Sequence, residues 1–180
     1  MITVIGIGGE PATGKSSLFS ELINLVGEPR PIKYRVCQAA AYDAAQIIVL
    51  GIYDGSTFQG TDRLSMGVQP HALEFVTRLH KNAGYHGWRV LFEGDRLFNS
   101  KFISSIQSAG IPHHFYVLEA GEAMKSQRHH NRGDTQTATW LKGRVTKTQN
   151  ILSAHPHVQA LRNETYDDQI SNVRLLLELA

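Results

Sequence analysis

Apolar residues recur along the chain in two alternating rhythms. Uninterrupted runs of four to seven alternate with stretches where an apolar side chain returns every three or four positions. The first rhythm belongs to buried strands and the second to helices with one buried face. Ile2–Ile7 (ITVIGI) reads as a strand and Ser16–Val26 as a helix with Leu18, Phe19, Leu22 and Leu25 on one stripe. Lys33–Gln38 is a weaker strand and Ile47–Tyr53 (IIVLGIY) a stronger one. The spacing of Leu73, Val76 and Leu79 predicts a helix from Pro70 to about Asn82, with proline in its first turn and Gly84 beyond its end. Further on come a strand at Trp88–Phe92 (WRVLF), a helix at Leu97–Ser108 stopped by Gly110, and a strand at Phe115–Leu118 (FYVL). A helix at Thr137–Leu152, a short strand at Val158–Leu161 and a closing helix at Asp167–Leu179 complete the pattern.

Strands that alternate with helices predict an α/β fold, a three-layer sandwich around a mostly parallel sheet. The 180 residues suit a single domain with a real core, and they carry no internal repeat. Two stretches, Asp54–Gly67 and Gly121–Thr139, lack either rhythm and are long for plain connections. In parallel α/β folds such loops lie beyond the carboxyl ends of the strands, where chemistry gathers.

Composition narrows the class. With 42% hydrophobic and 19% charged residues the chain is not disordered. No apolar run approaches the roughly 20 residues that a helix needs to cross a bilayer. Met1 leads into a strand without the charged segment and cleavage site of a signal peptide. The single cysteine, Cys37, makes neither an internal disulfide nor a multi-cysteine zinc site. These features predict a soluble cytoplasmic protein with no membrane partner. The net charge is only +2, yet Lys125, Arg128, Arg132, Lys142, Arg144 and Lys147 face one acid, Asp134, within a single segment. That concentration suits a site for anions, with a solvated helix face as the plainer alternative.

The sharpest signal is early. Gly9-Glu10-Pro11-Ala12-Thr13-Gly14-Lys15-Ser16 satisfies G-x-x-x-x-G-K-[ST] between an apolar strand and a helix. Glycines let successive N–H groups curl towards a phosphate, and the helix adds its positive end. Gly9, Ala12, Thr13, Gly14, Lys15, Ser16 and Ser17 are therefore the expected ATP-phosphate cradle, with Lys15 on the β and γ phosphates and Ser16 on Mg²⁺. A dinucleotide fingerprint is excluded, because Pro11 stands where its last glycine belongs.

Acids with a catalytic reading follow the strands. Glu93 of Glu93-Gly94-Asp95-Arg96 is the candidate acid for the Mg²⁺ shell. Asp95 is either that same acid or a base for the acceptor hydroxyl, and Arg96 either holds an acceptor phosphate or pairs with a neighbouring acid. A strand-end turn with an exposed ion pair is the alternative for the whole tetrapeptide. Asp62, in the long loop after IIVLGIY, fits a base that orients an acceptor hydroxyl and takes its proton, with Arg63 as a substrate ligand. A helix cap or turn residue is the alternative for Asp62. Tyr42, Tyr53 and Phe58 either form an aromatic wall that stacks on a base or belong to the core.

The layout is similar to the nucleoside and nucleotide kinase-like P-loop group, whose lid arginines close over the phosphoryl group. That resemblance implies a lid at about residues 121–147, in which Arg128, Arg132 and Arg144 neutralise transferring charge. It also implies an adenine contact from Asn163, with a plain strand-end turn equally compatible. The stretch LGIYDGSTFQGTDRLSMGVQP, with FEGDR and TWLKGRVTKTQNI, resembles the bacteriophage 5-hydroxymethyluridine DNA kinases of thymidine hypermodification. What this implies is an ATP- and Mg²⁺-dependent kinase acting on a hydroxymethyl group in DNA, with the modified base extruded from its stack. The small net charge argues against tight DNA binding. A kinase of a free nucleoside, nucleotide or sugar acid is the alternative. A non-catalytic ATP switch is a third reading, disfavoured because a switch needs no acceptor base. The nine histidines show no metal-ligand spacing, and His113 and His114, adjacent on a strand, point to opposite faces.

Overall fold

The computed structural model describes residues 1–56, 59–131 and 136–179. Its centre is β1 (Thr3–Gly9), whose burial on both faces follows from an almost wholly apolar sequence. The chain continues through α1 (Lys15–Val26), β2 (Arg30–Tyr34), β3 (Cys37–Tyr42), β4 (Ile47–Leu50) and α2 (Val68–Lys81). Then come β5 (Arg89–Glu93), α3 (Ser100–Ser108), β6 (His113–Glu119), α4 (Glu122–Asn131), α5 (Ala138–Ala154), β7 (Gln159–Arg162) and α6 (Tyr166–Glu178).

The seven strands form one sheet in the order β2-β3-β4-β5-β1-β6-β7. From β4 to β7 every pairing is parallel, while β2 and β3 add an antiparallel hairpin at one edge. One face carries a core built with α2, α3 and the end of α5, and the other carries a core built with α1 and α6. This is the expected three-layer α/β sandwich of P-loop kinases.

Several expectations shift. The strand expected over Ile47–Tyr53 ends at Leu50, and α4 occupies much of the Gly121–Thr139 stretch that shows neither rhythm. The weak strand at Lys33–Gln38 is a hairpin: Tyr34 pairs with Cys37 across a two-residue turn, and β3 continues to Tyr42. Arg35 adopts a φ of 54° there, a conformation that hairpin turns ordinarily give to glycine or asparagine. The helix expected from Leu97 begins at Ser100, because the Asn99 side chain caps it by accepting from Phe102 N at 3.1 Å. Leu25 is exposed, and Val26 is buried in its place.

β1 carries glycines at positions 6 and 8 on the face it shares with α3. Phe92, Phe98, Phe102 and Phe115 fill that space, and a Cβ on Gly6 would lie 2.6 Å from Phe92 Cζ and 2.8 Å from Phe115 Cδ1. The glycines exist because the rings need the volume. Gly6→Ala is accordingly expected to remove about 1–3 kcal/mol of stability by overpacking. Urea unfolding measures this, and an unchanged midpoint would mean that the rings can give way.

Candidate active site

The P-loop joins β1 to α1 by a backbone that turns left-handed three times, with φ of 130° at Gly9, 62° at Ala12 and 94° at Gly14. Gly14 has no alternative, because a Cβ there would sit 2.5 Å from Asn163 Nδ2. Thr13 Oγ1 donates to Glu10 O at 2.9 Å, and the buried Asn163 amide donates to Thr13 O at 2.8 Å. Asn172 Nδ2 in turn donates to Asn163 Oδ1 at 3.3 Å, so α6 braces the loop from behind. Lys15 Nζ donates to Gly9 O and Glu10 O at 2.9 and 2.8 Å. Ser16 is half-buried and Ser17 exposed in the first turn of α1.

The opposite wall begins at the end of β5, which lies beside β1 with Glu93 aligned to Ile7. Glu93 is 2% exposed, and its Oε1 accepts from Ser16 Oγ at 3.3 Å. Burial pushes its pKa up to about 7; the nearby Lys15 charge and the Ser16 hydrogen bond oppose that rise, and Asp62 and Asp95 add to it. Thr61 clamps the following turn onto this strand by donating from Oγ1 to Glu93 O at 2.7 Å. A Cβ on Gly60 would collide with Glu93 Oε1 and lie 3.2 Å from Tyr53 Oη, and one on Gly94 would lie 3.1 Å from Asp62 Oδ1. These two glycines let the loop after β4 press against the end of β5.

That clamp delivers Asp62. Its Oδ1 accepts from Arg96 N at 3.1 Å, and its carboxyl lies near enough to Lys15 and Glu93 for their charges to act on one another. Removal of its carboxyl from water raises its pKa, and the charge of Asp95 adds to the rise. Asp95 itself faces away towards α5: Arg144 Nη1 reaches its Oδ2 at 2.5 Å and Lys147 Nζ its Oδ1 at 2.9 Å. Arg96 contacts Met66 through Nη1, while its Nε is buried with no hydrogen-bond partner among the described residues.

Other expected site residues lie further out. Arg128 Nη1 donates to Ala12 O at 3.0 Å and its Nη2 to Asn163 O at 3.1 Å, linking α4 to the back of the P-loop. Arg63 pairs with Asp54 at 3.1 Å and donates to Ser56 Oγ. The Tyr53 ring stacks on Phe19 at 5.8 Å, and its hydroxyl is buried. Tyr42 is buried in the core around α1 and α6. Phe58 and Arg132 lie outside the described residues. On the β6 side of the P-loop, a cavity of about 470 Å³ is bordered by Glu10, Thr13, Lys125, Gln149 and Arg162. The Thr61 clamp and its two glycines escaped the sequence reading. Their signal was the Gly60-Thr61-Asp62 run opposite Glu93-Gly94.

A strand-loop-helix with the P-loop geometry, facing an acid at the end of the adjacent strand, is the frame of a nucleotide-dependent phosphotransferase. Residues 1–174 match the family described as P-loop Nucleotide Kinase3. The chain belongs to this family of P-loop kinases. No curated protein matches it. Among solved structures, a gluconokinase from Sinorhizobium meliloti 1021 is similar at 13% identity and a TM-score of 0.49, covering 98% of this chain and 93% of that one. No helix among the described residues is long and apolar enough to cross a membrane.

P-loop kinases use ATP, generally with Mg²⁺. The Ser16 hydroxyl and Glu93 carboxyl, 3.3 Å apart, are an all-oxygen pair that fits this hard cation. The raised Glu93 pKa has a measurable consequence for this kinase. Protonated Glu93 suits the metal-free fold, so its contribution is fully present below the ordinary value of 4.5 and is lost as pH rises through about 7. Without nucleotide or metal, Glu93→Gln should therefore gain stability over the parent between pH 5 and pH 8, by about 3 kcal/mol at most. Denaturant titrations at the two pH values test this. A pH-independent difference would remove the buried charge from the account.

Proposed function

We propose that this kinase transfers the ATP γ-phosphoryl group, with Mg²⁺, to the hydroxymethyl group of 5-hydroxymethyluracil in DNA. The observation that carries transfer to an alcohol is Asp62: a carboxyl of raised pKa, held by the Arg96 N–H beside Lys15 and Glu93. The DNA acceptor is supported by the resemblance of the Leu50–Pro70 stretch, FEGDR and TWLKGRVTKTQNI to phage 5-hydroxymethyluridine DNA kinases. A free nucleotide or nucleoside is the second reading, favoured by the description of the matching family.

Lys15 leaves the loop carbonyls for the β and γ phosphates, whose oxygens the P-loop N–H groups meet. Ser16 and Glu93 would hold Mg²⁺, which when bound neutralises charge across those phosphates. Asp62 orients the acceptor O–H and takes its proton as the oxygen bonds to the γ-phosphorus. The bond from that phosphorus to the β–γ bridging oxygen breaks, and ADP leaves with the electron pair. Of the two acids considered as base, Asp62 suits the role better, because Asp95 is engaged by Arg144 and Lys147. Arg144 and Arg132 are the proposed lid cations that meet the transferring charge, and Arg128 joins them only by leaving its bonds to Ala12 O and Asn163 O behind the P-loop. The cavity on the β6 side of the loop is the proposed place for the nucleoside end of ATP. The adenine contact expected of Asn163 is corrected, because its buried amide is spent on Thr13 O and Asn172 and braces the loop instead.

Labelled γ-phosphate transfer decides the acceptor. An oligonucleotide with 5-hydroxymethyluracil is expected to take label, and one with thymine is not. Label on free 5-hydroxymethyldeoxyuridine alone would establish the small-molecule reading instead. Lys15→Ala should abolish transfer with the fold intact, by removing a charge contact to the transition state. Asp62→Asn should lower kcat by about 100-fold or more. It should also remove an acid limb of the kcat/KM profile that lies above the ordinary Asp range, because the base must be ionised to act. Survival of that limb in Asp62→Asn would assign it to another group.

A further inference from the structure

The lid helix α5 is unusual in what it leaves uncovered. None of residues 138–150 is buried, and the first buried side chain is Ile151. The helix carries Lys142, Arg144 and Lys147 and no acid. Its tip presents Trp140, 37% exposed, whereas the other tryptophan, Trp88, packs edge-on against Tyr85 in the core. Trp140 is fixed in a regular first turn, because the Thr137 side chain caps its N–H at 3.3 Å. The Arg144 guanidinium lies over the indole at 4.7 Å while holding Asp95 at 2.5 Å. Residues 140, 144 and 147 share one helix face, so the indole stands one turn along from the contact that joins α5 to the Glu93–Arg96 turn.

We propose that Trp140 is a base-stacking residue, which takes a nucleobase of a single-stranded nucleic-acid segment at the acceptor side of the cleft. Lys142 supplies a phosphate contact beside it. The chemistry favours this occupant over others. A flat π surface backed by a cation, on a helix with three basic and no acidic side chains, matches a ring tethered to a polyanion. A protein partner would need a broader apolar patch than one indole flanked by Ala138, Thr139 and Lys142, all exposed. The inference rests on the reading of a DNA acceptor and adds how the strand is held.

Intrinsic fluorescence of the full-length protein, titrated without ATP, tests it. The probes are single-stranded oligonucleotides bearing 5-hydroxymethyluracil, thymine, or consecutive abasic sites at equal length and charge. Base-bearing strands are expected to quench Trp140 and to bind more tightly than the abasic strand. Trp140→Ala should weaken binding by about 5- to 100-fold, with an unchanged salt slope because no charge is removed. Trp140→Phe should restore most of the affinity, and both variants should keep the parent circular dichroism. Parent-like binding by Trp140→Ala, or equal affinity for the abasic strand, would overturn the proposal. So would a shift of the parent, but not of Trp140→Ala, to a dimer in sedimentation without nucleic acid. Phosphoryl transfer to the same oligonucleotides separates the two ideas. Transfer with no Trp140 effect sinks the stacking role alone, and stacking with no transfer sinks the DNA-kinase reading alone.

Discussion

Removing an ionised carboxyl group from water costs several kcal/mol unless a positive charge or hydrogen bonds replace the hydration. Glu93 is in that position, buried at the end of β5 with the Ser16 hydroxyl as its one hydrogen-bonded side chain among the described residues. The rest of the cleft is arranged round this group. β5 must lie beside β1 to bring it to the P-loop, and Gly60 must lack a side chain to leave it room. Thr61 must bond its backbone carbonyl to fix the next acid in place. A fold optimised for stability alone would put an apolar residue there. The proposed Mg²⁺ would supply the missing counter-charge, and a pKa pushed up to about 7 by burial is the mark of electrostatics left incomplete without it.

The two carboxyl groups facing Lys15 differ in a way that suits a division of labour. Glu93 is deep and held by a hydroxyl, as a group that keeps a cation's shell should be. Asp62 is exposed as a whole residue while its carboxyl end is largely withdrawn from water, and that withdrawal, with the charge of Asp95, raises its pKa. As the proposed base, a carboxyl at the cleft surface would meet a substrate that arrives from outside. The backbone N–H of Arg96 orients it without giving it a counter-charge strong enough to suppress its basicity.

Much of this was legible in the sequence because its signals are local. The P-loop can be read from eight consecutive residues, and strands such as ITVIGI and WRVLF announce themselves by composition. The β2–β3 hairpin was not legible as two strands. Its turn uses Arg35 and Val36, not glycine or asparagine, and CQAAAY lacks the β-branched residues that mark a strand. The Asp95 ion pairs join residues 49 and 52 positions apart, and no spacing rule reaches across that distance. The Asn163 brace is similar: its partner Thr13 is 150 residues away, so sequence sees only a polar residue after a strand. Glu93 and Asp62 could be singled out by type and position, but the upward shift of both pKa values needs the packing of the intervening loop.

The attachment of α5 bears on how the proposed lid would work. Arg144 and Lys147 hold Asp95 through side chains that are each about a third exposed, and pairs of that kind contribute about 0–1 kcal/mol. No buried apolar contact adds to them before Ile151. Exchange of Arg144 from Asp95 to a transferring phosphoryl group would therefore replace one guanidinium–oxyanion contact by another, with Lys147 left to accompany Asp95. The exchange is nearly balanced in the ground state. In the proposed lid its driving force would appear only as charge shifts towards the departing β–γ bridging oxygen, which is where a lid cation accelerates a reaction and does not merely tighten binding. A helix welded down by apolar packing could not make that exchange without first breaking the core.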